Sequence, residues 1–252
     1  MIMVSCCTSE KGNEKLRYEY YNDGKVKAEI SLKNDSTRHG LTKTFYQSGK
    51  LASEVKYVDG KIVGDEVAYY ESGVVQYRIP HTDGLQSGIA TWYFENGDTS
   101  TLIPYYLDHP VGECYYYFPS GELKAYVVMD FDGIQRYQIE YNKDGQEIDH
   151  LGKGIVGLSH NGNDHFIGDT LKALFLLATP PKYNYEFKIY ENMNNMDQVK
   201  LVKIDEEGSI FRYSKVLLNE GVFKWGGVYY ISNGLKKDSS IFHGEIRVLK
   251  RN

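Results

Sequence analysis

The residues best equipped for chemistry lie close together: His150, His160, Asp164, His165 and Asp169 fall in one glycine- and asparagine-rich stretch. Imidazoles and carboxylates in one place are the raw material of a zinc centre or a proton-transfer pair. A zinc centre needs three or four convergent ligands with a supporting shell, and two histidines five apart in a loop do not supply one. The stretch reads as a solvated linker. Asp205-Glu206-Glu207-Gly208 gathers carboxylates as calcium loops do, but without alternating ligands and a closing glutamate it reads as a hairpin turn. No Gly-x-Ser-x-Gly elbow, phosphate-binding Gly-x-x-x-x-Gly-Lys or Gly-x-Gly-x-x-Gly occurs. The sequence therefore points to a protein that is not an enzyme and uses no metal and no cofactor.

What stands out instead is the supply of rings and turns. The 252 residues hold 23 tyrosines and 25 glycines against 6 prolines, a composition suited to many short strands. Apolar residues at 41% and charged residues at 25% are ordinary for a globular chain. An aromatic pair followed three positions later by glycine recurs at Gly24, Gly49, Gly73, Gly97, Gly121 and, in degenerate form, Gly145, spaced by 24 or 25 residues. A second column, Gly40, Gly64, Gly88 and Gly112, precedes the turn glycine by nine. Such self-similarity marks a repeat architecture.

Within a unit the turn glycine supplies the positive φ of a short hairpin loop. Apolar residues then follow at even offsets, as in Val26 and Ile30, Leu51 and Val55, Val75 and Ile79, so each unit is two strands with one buried face. Twelve strands are expected over residues 16–149. One ring of each pair is expected in the hydrophobic spine, leaving the other outward. Departures at Asn142 and Glu147 read as an end cap with a polar outer face.

The segments GLTKTFYQSGKL, GDEVAYYESGVV, GIATWYFENGDT and GECYYYFPSGEL resemble the MORN repeat family in its bacterial variant, with looser copies at Tyr18–Ile30 and Arg136–Ile148. This resemblance implies a β-hairpin repeat array and an antitoxin-like (YwqK-type) protein, or an envelope lipoprotein of Bacteroidetes-type bacteria. Phospholipid binding, credited to MORN repeats, conflicts with the charge. From Asp59 to Asp149 there are 5 Lys and Arg against 16 Asp and Glu, a balance of −11 that repels anionic headgroups and nucleic acid alike.

After Asp149 the period stops. Residues 150–252 carry 14 Lys and Arg against 11 Asp and Glu, and show alternating runs at 154–159, 168–178, 185–191, 199–204, 209–218, 222–232 and 241–249. Seven such runs suggest an immunoglobulin-like β-sandwich. The fold expected is all-β: a meander of repeats at 16–149, then a sandwich at 150–252.

Of the three cysteines, Cys6, Cys7 and Cys114, none suggests a disulfide framework. Ile2-Met-Val-Ser5-Cys6 with the polar run Thr8–Asn13 is similar to the end of a bacterial lipoprotein signal, making Cys6 the expected lipidation site and residues 1–15 a tether. The apolar run before it is shorter than the roughly 7–15 residues a signal needs, so the true start is expected upstream, or the signal trimmed. The expected location is the cell envelope, with the membrane touched only through the lipid; the alternative is cytoplasmic. The expected partner is a protein, a toxin in the cytosolic alternative, or a glycan, bound on an acidic aromatic strip of Tyr69, Tyr70, Trp92, Tyr93, Tyr115, Tyr116 and Tyr117.

Overall fold

The computed structural model describes residues 4–5, 15–34, 36–191, 205–207 and 209–251. Every regular element among them is a strand. Two compact units emerge: residues 1–110 with 114–124, and residues 111–113 with 125–252. The division runs through strands Gly112–Tyr117 and Leu123–Met129.

In the first unit the strands lie side by side in chain order and antiparallel. Each repeat turn is built alike. Tyr21 N–H donates to Lys25 O and Gly24 N–H to Tyr21 O, and the same pair of bonds recurs at Tyr46, Tyr70, Phe94 and Phe118. The glycine closing each turn has positive φ, 85° at Gly24, which an L side chain adopts only with strain. This is the three-residue hairpin loop with a bulge, and the bulge shows as a register shift next to the ring pair, as between Thr44 and Phe45.

The second glycine column has a different task. On one side of Gly64 the pairing is Tyr57↔Ile62, and on the other Glu54↔Val67. Two residues on one strand, 55–56, thus face four on the other, 63–66, and Gly64, with φ 73°, takes up the excess. The same shift occurs at Gly88. The reversals between hairpins are two-residue turns with positive φ at both positions: Asp59-Gly60, Asp83-Gly84 and Leu107-Asp108.

Cross-strand pairing defines two faces. One carries the spine: Thr42 pairs with Ile30 and Val55, Glu66 with Ile79, and Ala90 with Ile103. Ala90 and Cys114 on that face are fully buried.

In the second unit, Leu123–Met129, Gln135–Tyr141 and Glu147–Gly152 form a three-stranded meander. Beyond it stand two four-stranded sheets. One runs Ile155–His160, Thr170–Leu177, Ile210–Val216, Asp205–Glu207 in lateral order; the other runs Asp164–Phe166, Lys237–Leu249, Gly221–Ser232, Asn184–Glu191. Their inner faces share one aromatic core, in which Trp225 stacks on Tyr213 at 5.7 Å and meets Phe175 and Phe242 edge-on.

Several expectations need correction. The supposed linker is strand: His150 ends the repeat meander, while His160, Asp164 and His165 belong to the sandwich. Asp205–Glu207 is a strand paired with Ile210–Arg212 rather than part of a turn. The 168–178 run needs none, being a strand over Thr170–Leu177 as expected. Glu147 is no polar outer face: its side chain is 12% exposed, pairs with Lys236 at 2.7 Å and accepts from Tyr183 Oη at 2.6 Å. Burial opposes its ionisation, but these donors hold its carboxyl below the usual range. Glu147 fills the column where most other repeats hold a half-buried Val or Leu, and it fastens the last hairpin to the sandwich instead. The expected strand at 199–204 lies outside the described residues.

Candidate functional site

The histidines do not converge on a vacant centre. His160 Nδ1 and His165 Nε2 each lie 3.0 Å from the Gly162 carbonyl. That oxygen only accepts, so the facing ring nitrogen of each donates and carries a proton rather than a lone pair for a metal. Asp164 pairs with Arg247, Asp169 pairs with Arg251 and caps the Phe166 N–H, and His150 meets the Tyr137 ring edge-on at 5.0 Å. Among the described residues no group of three or more His, Cys, Asp or Glu could hold a metal.

The ring pairs serve two structural tasks before any binding. Both rings of each pair are half-buried, rather than one buried and one outward. In the first three pairs the second ring ties its unit to the next: Tyr21 Oη donates to Phe45 O at 2.7 Å, Tyr46 Oη to Tyr69 O at 2.5 Å, and Tyr70 Oη to Tyr93 O at 2.7 Å. Lysines after the turn glycine add a parallel tie, Lys25 Nζ to Gln47 O and Lys50 Nζ to Glu71 O. Phe94 and Phe118 have no hydroxyl and leave this ladder.

The seven candidate partner residues split between two faces. Trp92 pairs with Tyr77 and with Thr101, which in turn pairs with Tyr116, so Trp92 and Tyr116 stand on the spine face. There Tyr77 Oη donates to Glu66 at 2.9 Å, and burial, with Glu66 beside it, pushes Tyr77 up to about 12. Burial also raises Tyr116, next to Cys114 and Tyr105.

Tyr69, Tyr93, Tyr115 and Tyr117 belong to the opposite face. Tyr115 pairs with Leu102, which pairs with Thr91, which pairs with Arg78. Arg78 donates to Asp65 at 2.6 Å, and that bond, with the neighbouring Tyr93 and Tyr69, keeps its guanidinium charged. Tyr69 Oη donates to Glu54 at 2.9 Å. Tyr70 takes part in the hydroxyl ladder. On this second face, two rows from Tyr93 and nearer the reversal, lies Ile89, 61% exposed and paired with Pro104. Ile89, Leu102 and Pro104 belong to no aromatic column; the signal they carry is the even spacing of Ile89 from Tyr93 and of Leu102 from Pro104 within their strands.

Cys6 and the 1–3 and 6–14 segments lie outside the described residues. No helix among the described residues is long and apolar enough to cross a membrane.

Comparison with known proteins adds one family. The MORN repeat variant model matches residues 13–34 and 38–59. No curated protein matches the chain. Among solved structures, a polysaccharide lyase aligns over 97% of this chain and 48% of its own at 10% identity and a TM-score of 0.29. The chain spans about half the length of that protein, and a likeness so slight carries no inference about fold or activity. The chain thus carries MORN-variant repeats over residues 13–34 and 38–59, and the same turn geometry recurs as far as Gly121.

Proposed function

We propose that this protein is a non-catalytic scaffold of the bacterial cell envelope, anchored through a lipid on Cys6 and binding a partner protein on its repeat sheet. The observation that carries the reading is the repeat unit itself. Turn, ladder and spine bonds hold the sheet in one shape, so a long surface meets its partner with little ordering cost. The C-terminal sandwich supports the role of spacer or second contact site. Lettered by chain order, its sheets run A-B-E-D and A′-G-F-C, a strand order that supports an immunoglobulin-like reading.

Metabolic labelling with a fatty-acid analogue tests the anchor. Label on the native protein and none on Cys6→Ala is the expected result; label kept by the variant would remove the anchor from the proposal. The acidic balance of the later repeats favours a second reading, a cytosolic antitoxin or immunity protein covering a basic toxin. An adjacent toxin gene, with no label on the native chain, would select it.

A further inference from the structure

The repeat sheet has two faces, and only one is built to meet a partner. The spine face spends its rings on itself: Trp92, Tyr77 and Tyr116 flank residues that are fully buried, and Glu66 is taken up by Tyr77. The opposite face carries Tyr93, Leu102, Pro104, Tyr115 and Tyr117, half-buried, and Ile89, paired with Pro104 and mostly in water. A β-branched aliphatic exposed beside a proline, on a pre-formed sheet face that also carries a leucine and three tyrosines, has the composition of an interface core.

The rim shows what covers it. Glu71, Glu95, Asp98 and Glu122 line the turn edge beside the tyrosines, Asp83 and Asp108 lie in the reversals at the other edge, and all are exposed. Over residues 59–124 the sequence holds three Lys or Arg against ten Asp or Glu, a balance of −7. One of those cations, Arg78, is already paired with Asp65. An apolar centre ringed by carboxylates is complementary to an apolar surface ringed by lysines and arginines.

We infer that the Ile89 face of residues 59–124 is the docking surface, and that its occupant is a protein segment alternating apolar side chains with Lys or Arg. This rests on the scaffold reading and names the face and the partner chemistry within it. A strand-like segment suits the site because its side chains alternate at the sheet's own period, placing apolar groups on Ile89 and cations toward the rim. A neutral glycan would use the rings and ignore the rim.

The test uses the full chain and three probes: a synthetic alternating Leu-Lys peptide, its Leu-Glu counterpart and a neutral oligosaccharide. Calorimetry should show that the Leu-Lys peptide binds, with affinity falling as salt rises. Ile89→Lys should weaken binding by about tenfold or more, the scale of a central anchor residue. Leu218→Lys, at a 71% exposed site in the sandwich, should leave it unchanged. Equal loss in both variants would reduce the effect to net charge and overturn the proposal. So would undiminished binding by Ile89→Lys, no binding of the Leu-Lys peptide, or equal binding of the Leu-Glu peptide or the oligosaccharide. A native partner still held by Ile89→Lys would sink this surface while leaving the scaffold reading in place.

Discussion

Residues 15–58 and residues 59–124 share one backbone plan and wear opposite surfaces. Both use the turn glycine, the register shift at the second glycine column and the hydroxyl ladder. Yet the first stretch holds nine Lys or Arg against five Asp or Glu, and the second holds three against ten. Lys25 and Lys50 follow the turn glycine in the early repeats and tie adjacent turns together; Val74, Asp98 and Glu122 occupy that column later, and no such tie is possible. A repeat thus has positions that answer to the backbone and positions that answer only to solvent or a partner. The family model matches the early pair, while the surface with the composition of an interface lies in the later repeats.

If the plan is shared, damage to it should cost the same in both stretches. Ile30→Ala and Ile79→Ala remove buried spine side chains and are each expected to cost about 2–4 kcal/mol in denaturant unfolding. A large cost at one and a negligible cost at the other would break the equivalence. Gly49→Ala and Gly97→Ala place a methyl where φ is 88° and 92°, and each should cost about 1–2 kcal/mol. A Cβ meets nothing within 4 Å at either position, so the loss would report backbone strain alone.

The two stretches should separate at high pH. The Tyr77 phenol, ordinarily near 10, is pushed up to about 12 by burial and by Glu66, so the fold favours its neutral form. Its contribution is full below about pH 10 and is lost as pH rises through about 12. Phenolate absorbance followed in Tyr77→Phe against the native chain should show one late-titrating phenol fewer, and a difference between the two that titrates near 10 would contradict the burial described.

Smaller effects probe the ladder. Tyr46→Phe should cost about 0.5–1.5 kcal/mol, one hydrogen bond, and Phe94→Tyr, which restores the missing hydroxyl opposite Tyr117, should recover a similar amount. The least effect is expected at the reversal Leu107-Asp108, where leucine holds φ 50° in place of the Asp of the two preceding turns. Leu107→Asn should stabilise by about 0.5–1 kcal/mol, because asparagine tolerates that conformation.

Much of this plan is legible in the residues. The turn column and alternating offsets place all six hairpins, since a glycine with positive φ and a period of two leave little freedom. The second glycine column is visible, but its purpose is not, because a register shift depends on the neighbouring strand. The ring pairs mislead for the same reason: adjacent tyrosines such as Tyr115 and Tyr116 look like one strip in sequence, while a strand sends them to opposite faces. Ile89 stays hidden because a lone isoleucine has no chemistry until pairing sets it beside Pro104. Glu147 and the Asp164–Phe166 strand depend on the sandwich, whose Lys236 and Leu249 lie more than eighty positions away.

The difference between the two stretches is most directly tested by amide hydrogen exchange with and without the Leu-Lys peptide. Protection is expected in Gly88–Tyr93 and Thr99–Tyr106, with Arg38–Phe45 and Leu51–Val58 unchanged. Protection in the early strands, or spread evenly along the sheet, would contradict the assignment of scaffold and surface made here.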